Sequence, residues 1–258
     1  MRIIKIGALL SLVMLFALSS CQDDASSTTE LKKDNSTAGS DDLSIYKKIY
    51  AASEVYAEGE FVVIKTNGIP DHKSPYFEGT QWEAERYEEY NGNNSEWRQN
   101  PNTITELNLV FRIPRHPEEA SSKEATSLGP IGVALNGIPF YNQYAGPNNQ
   151  PLTNEVNSFD QYLGHPQQRG GYHYHIEPTY LTENHGGDAL LGFLLDGFPV
   201  YGPLEDGEVV SNDDLDAYHG HSHATIDYPA GIYHYHITDA DPYLNGSGFF
   251  GTVGTVSW

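Results

Sequence analysis

Cysteine is nearly missing from this chain: Cys21 is the single one among 258 residues. An internal disulfide needs two thiols, so the fold is not held together by disulfide bonds. One thiol also excludes the zinc sites that use several cysteines as ligands. Neither disulfides nor metal binding by a set of thiols is therefore available to this fold.

Basic residues are also scarce, with 14 Lys and Arg against 35 Asp and Glu and a formal net charge of -21 at pH 7. Such an acidic surface repels phosphate backbones and anionic lipid head groups, so nucleic acid is excluded as a partner. The same field would concentrate cations, or it serves only solubility.

Several widespread catalytic motifs are absent as well. The chain contains no Gly-x-Ser-x-Gly elbow, no His-Glu-x-x-His zinc motif and no glycine-rich phosphate loop. These absences leave open whether the protein is an enzyme, and they direct attention to its histidines.

Long helical runs are lacking too, since 25 Gly and 15 Pro interrupt the chain. Residues 60–65 and 108–113 are rich in β-branched residues and alternate in polarity, which is typical of strands. We therefore predict an all-β fold, a sandwich or a barrel, with long loops and little helix. Residues 42–54 and 81–90 are the helix candidates, and residues 73–102 are predicted to form a long loop over one end of the sheet.

Two stretches of the sequence match each other closely. Each contains the tetrapeptide Tyr-His-Tyr-His, at residues 172–175 and 233–236. Upstream, residues 131–141 align with residues 191–201, and each of these apolar runs is broken by Asn-Gly or Asp-Gly, a strong hairpin signal. We interpret the match as an internal duplication with a pseudo-twofold arrangement.

A second shared pattern lies between the hairpin and the histidine strand of each copy. It has the form Asp-x-Tyr-x-Gly-His and occupies residues 160–165 and 216–221. The two repeat units therefore extend over about 131–181 and 191–244.

The histidines of each tetrapeptide form the strongest candidate site. Alternation along a strand places both histidines on one face and both tyrosines on the other, so two imidazoles can bind the same metal ion. The preceding loops each supply a third imidazole, and such sets suit a transition metal, Cu or Zn. The predicted metal ligands are His165, His173, His175, His221, His234 and His236. The two strands form either separate sites or one shared site, or the histidines cap buried tyrosine networks and bind nothing.

Asp160 and Asp216 precede the loop histidines by five residues. Each either accepts the second N–H of a ligand histidine in the second shell of the site, or shapes the loop as an Asx-turn. The second loop is richer in histidine through His219 and His223, which favours it as the tighter site if the two have diverged. Both residues can equally be exposed side chains without a role.

The first residues are typical of a signal peptide, predicted over residues 1–20. Arg2 and Lys5 precede an apolar run to Leu18, which is short for a membrane span of about 20 residues. Two serines then precede Cys21 in the manner of a lipoprotein lipobox. We therefore predict that Cys21 is the lipid attachment site.

The remaining chain divides into a tether and a domain. Residues 21–43 hold the acylated cysteine and are rich in Ser, Thr, Asp and Lys, which predicts a flexible tether. Residues 44–258 are long enough for one domain with its own core. The expected location is the outer membrane, facing either the cell surface or the periplasm.

The duplicated pattern resembles the YHYH-domain family of bacterial extracytoplasmic proteins. The resemblance covers roughly residues 60–254. It rests on both histidine strands and on four further segments, at residues 67–72, 111–114, 132–137 and 195–203. It implies a metal-binding domain and assigns no activity.

Three functions fit the sequence. The first is a membrane-anchored lipoprotein that captures or delivers a transition metal. The second is an enzyme that uses the metal, either a hydrolase with Glu177 or Asp160 near a metal-activated water or a copper oxidase. The third is a module that binds a glycan or a protein partner and whose histidines are purely structural.

Overall fold

The computed structural model describes residues 43–246 and 248–258. The predicted signal peptide, Cys21 and all of the predicted tether except its last residue lie outside the described residues. The described part is built mainly from short strands, with two α-helices of four and seven residues.

The strands are β1 Glu54–Glu58, β2 Phe61–Thr66, β3 Leu109–Pro114, β4 Pro130–Ala134, β5 Pro139–Tyr141, β6 Tyr144–Ala145, β7 Gln150–Pro151, β8 Gly164–Pro166, β9 Tyr172–Tyr174, β10 Leu190–Leu194, β11 Pro199–Tyr201, β12 Leu204–Glu205, β13 Glu208–Val209, β14 Gly220–His223, β15 Ile232–His236 and β16 Thr255–Ser257. The α-helices are α1 Glu83–Arg86 and α2 Thr179–His185, and the 3-10 helices are Tyr46–Lys48, Pro75–Phe77, Glu155–Ser158 and Asn212–Asp214.

The larger sheet confirms the predicted duplication. Its eight strands lie in the order β14-β15-β11-β10-β4-β5-β9-β8, so each half contains one repeat. In each half a hairpin is followed by the histidine strand, which runs parallel to the hairpin's second strand, and the edge strand pairs antiparallel with it. The halves meet where β4 and β10 pair antiparallel, with Val133 opposite Phe193.

That central pairing fixes how the repeats are oriented. Two antiparallel neighbours in one sheet are related by a twofold axis perpendicular to the sheet. Side chains at equivalent positions of the two repeats therefore emerge from the same face of the sheet. The Asn-Gly and Asp-Gly hairpin turns are also confirmed, with Gly137 and Gly197 in the left-handed region at φ +77° and +86°.

A second sheet completes the sandwich-like architecture. Its four antiparallel strands lie in the order β1-β2-β3-β16, and two short hairpins, β6-β7 and β12-β13, extend the repeats. Val62 and Phe111 of this sheet belong to the same buried cluster as Ile131 and Phe193 of the larger one. The described strands form no closed barrel, so the sandwich is the correct form of the all-β prediction.

The helix predictions have mixed outcomes. The prediction for residues 42–54 is wrong in the described part, where a 3-10 turn at Tyr46–Lys48 leads into strand β1. Tertiary contacts override the modest helical pattern, because Tyr46 is buried and its hydroxyl donates to the carbonyl of Arg115 at 3.2 Å. Helix α1 confirms the candidate at residues 81–90, whereas α2 was not predicted.

Across the described ranges 43–246 and 248–258, no helix has the length and apolar character needed to cross a membrane.

Candidate metal centres

The histidine strands separate tyrosines from histidines as strand alternation requires. Tyr172 and Tyr174 of β9, and Tyr233 and Tyr235 of β15, are buried in the hydrophobic core. The histidines of both strands emerge from the opposite face, where the neighbouring edge strands bring in the loop histidines.

Glu155, His165, His173 and His175 form what we call the first cluster. One ligand atom from each residue lies within 4.8 Å of the others. The Nε2 atom of His173 lies 3.2 Å from that of His165 and 3.0 Å from that of His175. The carboxylate of Glu155 reaches the Nε2 atom of His165 at 3.2 Å.

The tautomers in the first cluster are set by main-chain carbonyls. The Nδ1–H of His173 donates to the carbonyl of Gly171 at 3.0 Å, and that of His175 donates to the carbonyl of Asn142 at 2.5 Å. A carbonyl oxygen can only accept, so each Nδ1 carries the proton of a neutral ring and each Nε2 presents a lone pair. The Nε2 lone pairs therefore face one another with no hydrogen between them.

The third ring of the first cluster has polar neighbours at both nitrogens. The hydroxyl oxygen of Ser158 lies 2.7 Å from the Nδ1 atom of His165, and the side-chain amide of Asn100 lies 3.3 Å from the same atom. The Glu155 carboxylate faces the Nε2 atom. His173 and His175 therefore offer unprotonated Nε2 atoms to the centre, and the Nε2 atom of His165 lies beside them.

Glu205, His221, His234 and His236 form what we call the second cluster, and their ligand atoms also lie within 4.8 Å of one another. The Glu205 carboxylate lies 3.4 Å from the Nε2 atom of His221 and 3.7 Å from that of His236. The histidines come from the same positions of the repeat as those of the first cluster.

The second cluster repeats the tautomer pattern. His234 donates through Nδ1 to the carbonyl of Ile232 at 3.0 Å, and His236 donates to the carbonyl of Gly202 at 2.8 Å. The Nε2 atoms of His234 and His236 are buried and have no hydrogen-bond partner among the described residues. A buried nitrogen lone pair without a donor is costly unless a cation satisfies it.

The electrostatics keep the buried imidazoles neutral. Burial lowers the pKa of His175, His234 and His236 to about 4. Burial, followed by the nearby His165 and His175, lowers the pKa of His173 well below its ordinary value. Neutral imidazoles are the form that binds metal, so these rings are available as ligands at neutral pH.

This donor set fits a transition metal. Imidazole nitrogen suits Zn and Cu, and a carboxylate oxygen can complete a tetrahedral or tetragonal shell. Five strand spacings of about 4.8 Å separate β9 from β15 in the sheet, so the two histidine strands lie roughly 24 Å apart. The six predicted ligand histidines are therefore brought together as two separate groups of three, and no shared site forms.

Asp160 and Asp216 shape their loops, which is one of the two roles predicted for them, and they do not accept from a ligand histidine. Asp160 accepts from the hydroxyl of Tyr172 at 2.8 Å, and Asp216 accepts from that of Tyr233 at 2.9 Å. Both also accept from amides of their own loops. The physical reason is alternation, since the loop carboxylates lie beneath the tyrosine face while the histidines occupy the other face.

Nothing in the sequence indicated two of the cluster residues. Glu155 and Glu205 come from a 3-10 turn and a two-residue strand with no distinguishing pattern. The sequence offered His223 either as a reason for a tighter second site or as an exposed side chain. His223 is exposed in the structure, and its Nε2 atom lies 3.1 Å from that of His221 and contacts Glu205.

Other residues considered for a role lie elsewhere. Glu177 accepts from the hydroxyl of Thr182 at 2.6 Å and is outside both clusters. The two nitrogens of His219 face the carbonyl of His236 and the side chain of Asn212. His219 is therefore buried and is held in place by these hydrogen bonds. The sequence had left open whether His219 is exposed.

The two clusters open into cavities of different size. The first cluster lies at the base of a cavity of about 700 Å³, which the end of the long 73–102 loop helps to line. The cavity beside the second cluster measures about 240 Å³ and is lined by Glu205, His223, His234 and His236.

A family model described as YHYH protein matches residues 110–209 and 204–248, which together span more than half of the chain and include both clusters. No curated protein and no solved structure matches the chain significantly.

Proposed function

The chain belongs to the YHYH protein family, and we propose that it is a membrane-anchored bacterial lipoprotein that binds copper or zinc for metal capture or delivery. Each cluster is proposed to hold one ion, through His165, His173 and His175 in the first and through His221, His234 and His236 in the second.

The observation that carries this proposal is the convergence of unprotonated Nε2 atoms. Purely structural histidines would pair both ring nitrogens with protein donors and acceptors. In the second cluster the Nε2 atoms of His234 and His236 are buried and unpaired among the described residues, while both Nδ1 atoms are bonded to carbonyls. A single cation can satisfy two such lone pairs together.

Anchoring to the outer membrane is the second part of the proposal. It is supported by the lipobox-like sequence before Cys21, with the acidic residues Asp23 and Asp24 soon after it. The anchor would hold the metal-binding domain outside the cytoplasm, on the surface or on the periplasmic side.

The test is the metal content of the chain from residue 22 onward, measured by mass spectrometry after loading with competing Zn and Cu. We expect close to two ions per chain, and close to none in the double variant His173→Ala/His234→Ala. The matched control is His185→Ala, because His185 is an exposed histidine outside both clusters. All proteins are first checked for folding by circular dichroism.

Retention of metal by the control and its loss by the double variant would support the proposal. A folded protein that retains no metal in any form would overturn it and leave the histidines as structural residues.

A metal-dependent enzyme is the second candidate, favoured by the large cavity at the first cluster. Glu177 and Asp160, the carboxylates considered as partners of a metal-activated water, are bonded to Thr182 and Tyr172 and lie outside the cluster. Glu155 is the carboxylate that lies within the first cluster. Hydrolase and oxidase assays on the metal-loaded protein, with Glu155→Gln as the comparison, test this alternative.

A further inference from the structure

The two clusters differ at one equivalent position of the repeat. Strand pairing aligns Gly164 with Gly220 and His165 with His221, because each pair faces the same residues of its histidine strand. Two residues further along, the first repeat has Gln167 and the second has His223. An imidazole in one repeat thus corresponds to an amide in the other.

His223 brings a fourth imidazole to the exposed edge of the second cluster. Its Nε2 atom lies 3.1 Å from that of His221 and contacts the Glu205 carboxylate. Its Nδ1 atom lies 2.8 Å from the carbonyl of Ala224, so the Nε2 side of the ring is the side turned toward the cluster. Three imidazoles and one carboxylate therefore form each centre, and only the second has a further imidazole against its ligands.

Gln167 leaves the first cluster open on the same side. It lines the cavity of about 700 Å³ together with His165, His173 and His175. The cavity beside the second cluster is about a third of that size, and His223 is part of its wall.

The equivalent hairpin tyrosines of the two repeats also differ, because within the described part of the chain only the one in the second repeat has hydrogen-bond partners for its hydroxyl. In the second repeat the hydroxyl of Tyr201 is bonded to Thr225 at 2.8 Å and to Asp227 at 3.1 Å. The equivalent Tyr141 stacks on His173 with ring centroids 3.9 Å apart, and its hydroxyl has no partner among the described residues. The phenol of Tyr141 is therefore available to a molecule in the first cavity.

The rest of that cavity wall defines the chemistry of the occupant. Apart from the cluster itself, the described lining residues include no Lys or Arg, and their polar groups include the amides of Asn100, Asn102, Gln167 and Gln168. Tyr144 and Trp258 add aromatic surface. Away from the metal centre, such amides and aromatic faces favour an uncharged molecule that carries hydroxyl or amide groups.

We propose that the first centre keeps a coordination position for an exogenous ligand, whereas His223 closes that position at the second centre. The ligand is an uncharged molecule that donates one oxygen or nitrogen atom to the metal and contacts Tyr141 with its remainder. The first centre is then the one that exchanges ligands or reacts, and the second holds its ion. This inference rests on the proposed metal binding.

The test uses the full-length protein loaded with Cu(II), with copper content measured first. Azide is the probe of the open coordination position alone, because it is a small donor whose negative charge is matched by Cu(II) and whose coordination produces a charge-transfer absorption band; imidazole stands for the uncharged ligand. We expect one azide per chain that holds two copper ions, and displacement of azide by imidazole, which is an uncharged nitrogen donor.

Two substitutions, each of which gives one repeat the residue of the other, show which centre binds azide. His223→Gln gives the second cluster the residue of the first and should raise the stoichiometry to two azides per chain. Gln167→His gives the first cluster the residue of the second and should abolish azide binding. Both positions have solvent-accessible side chains, and the copper content of each variant shows whether the sites are intact.

The outcomes are distinguishable. A folded protein without copper would contradict the proposed metal binding itself. Two copper ions with azide at both centres or at neither, or a stoichiometry that the two substitutions leave unchanged, would overturn the assignment of different roles while leaving metal binding intact.

Discussion

Glu155 and Glu205 complete the two histidine clusters from positions that are not equivalent in the duplicated chain. Glu155 begins the 3-10 helix Glu155–Ser158, after the short hairpin β6-β7. Glu205 ends β12, in the hairpin that corresponds to β6-β7, where the first repeat has Ala145. The histidines are therefore shared by the duplication, whereas each repeat provides its carboxylate in its own way.

The carboxylates should contribute to metal affinity at one centre each. We expect Glu155→Gln to weaken Cu(II) binding at the first centre by at least about tenfold, because a neutral amide replaces a charged oxygen donor beside the imidazoles. Glu205→Gln should do the same at the second centre. Competition with a chelator measures both effects in backgrounds that retain one centre, with His234→Ala or His173→Ala removing the other.

Glu177→Gln is the matched control for this pair, since Glu177 lies outside both clusters and is bonded to Thr182. Unchanged affinity in Glu155→Gln and Glu205→Gln would show that neither carboxylate is a ligand.

Acid should destabilise the metal-free protein over a defined range. The pKa of His175, His234 and His236 is lowered to about 4 by burial, whereas a histidine in the unfolded chain has a pKa near 6.5. Between these values the unfolded chain binds more protons, so the free energy of unfolding falls as the pH falls. A single such histidine loses about 2 kcal/mol between pH 7.5 and pH 5.

Urea unfolding at about pH 7.5 and pH 5 measures this loss, and bound metal should reduce it because the ion competes with protons for the same Nε2 atoms. A metal-free protein whose free energy of unfolding is equal at both pH values would contradict the burial of neutral imidazoles.

Asp196 should respond to pH with the opposite sign. Its carboxylate accepts from the hydroxyl of Tyr235 at 2.6 Å and from the amide of Gly251 at 2.9 Å, and burial raises the pKa of Asp196 to about 6. Asp196→Asn removes an acceptor oxygen and should cost about 1–3 kcal/mol. Because the folded state holds the Asp196 proton more tightly than the unfolded state, the cost should be larger at pH 5 than at pH 7.5.

The reverse exchange provides the comparison. Asn136, the equivalent residue of the first repeat, donates to Asp71 at 3.1 Å and to the hydroxyl of Tyr174 at 3.0 Å. Asn136→Asp would place two carboxylates together and should cost more at pH 7.5 than at pH 5, as urea unfolding can show. The same pH trend in both variants would argue against this account.

Lipidation should depend on Cys21. We expect Cys21→Ser to remove the acceptor thiol and move the protein from the membrane fraction to the soluble fraction. Fractionation with immunoblotting measures the change, and Ser20→Ala serves as a neighbouring control that leaves the thiol in place. A Cys21→Ser protein that remains in the membrane fraction would exclude the lipid anchor.

Local patterns in the sequence predicted the elements that depend on local geometry. The turns at Gly137 and Gly197 follow from glycine's access to positive φ, and the separation of His173 from Tyr174 follows from strand alternation. Because both signals occur twice, the duplication was visible before the fold. The same alternation places His221 and His223 on one face of the edge strand β14.

Tertiary packing determines what local patterns could not indicate. Glu155 and Glu205 reach their clusters because the chain folds back toward the histidine strands. Their sequence distance from the histidines and the local sequence pattern do not indicate this. The hydroxyl of Tyr172 donates to Asp160 because both side chains lie on the core side of the sheet. That placement of Asp160 depends on how its loop folds back over the sheet. The sequence also could not decide between one shared and two separate sites, since that depends on the strand order.

The antiparallel contact of β4 with β10 has an evolutionary consequence. A chain that contained a single repeat would end its sheet at an unpaired edge, and a second copy could pair with that edge through the same hydrogen bonds. Such an ancestor would be a symmetric homodimer with two identical histidine sites. Gene fusion would keep the contact while releasing the two sites from identity, which is the condition under which one half could acquire His223 and the other could retain its open cavity.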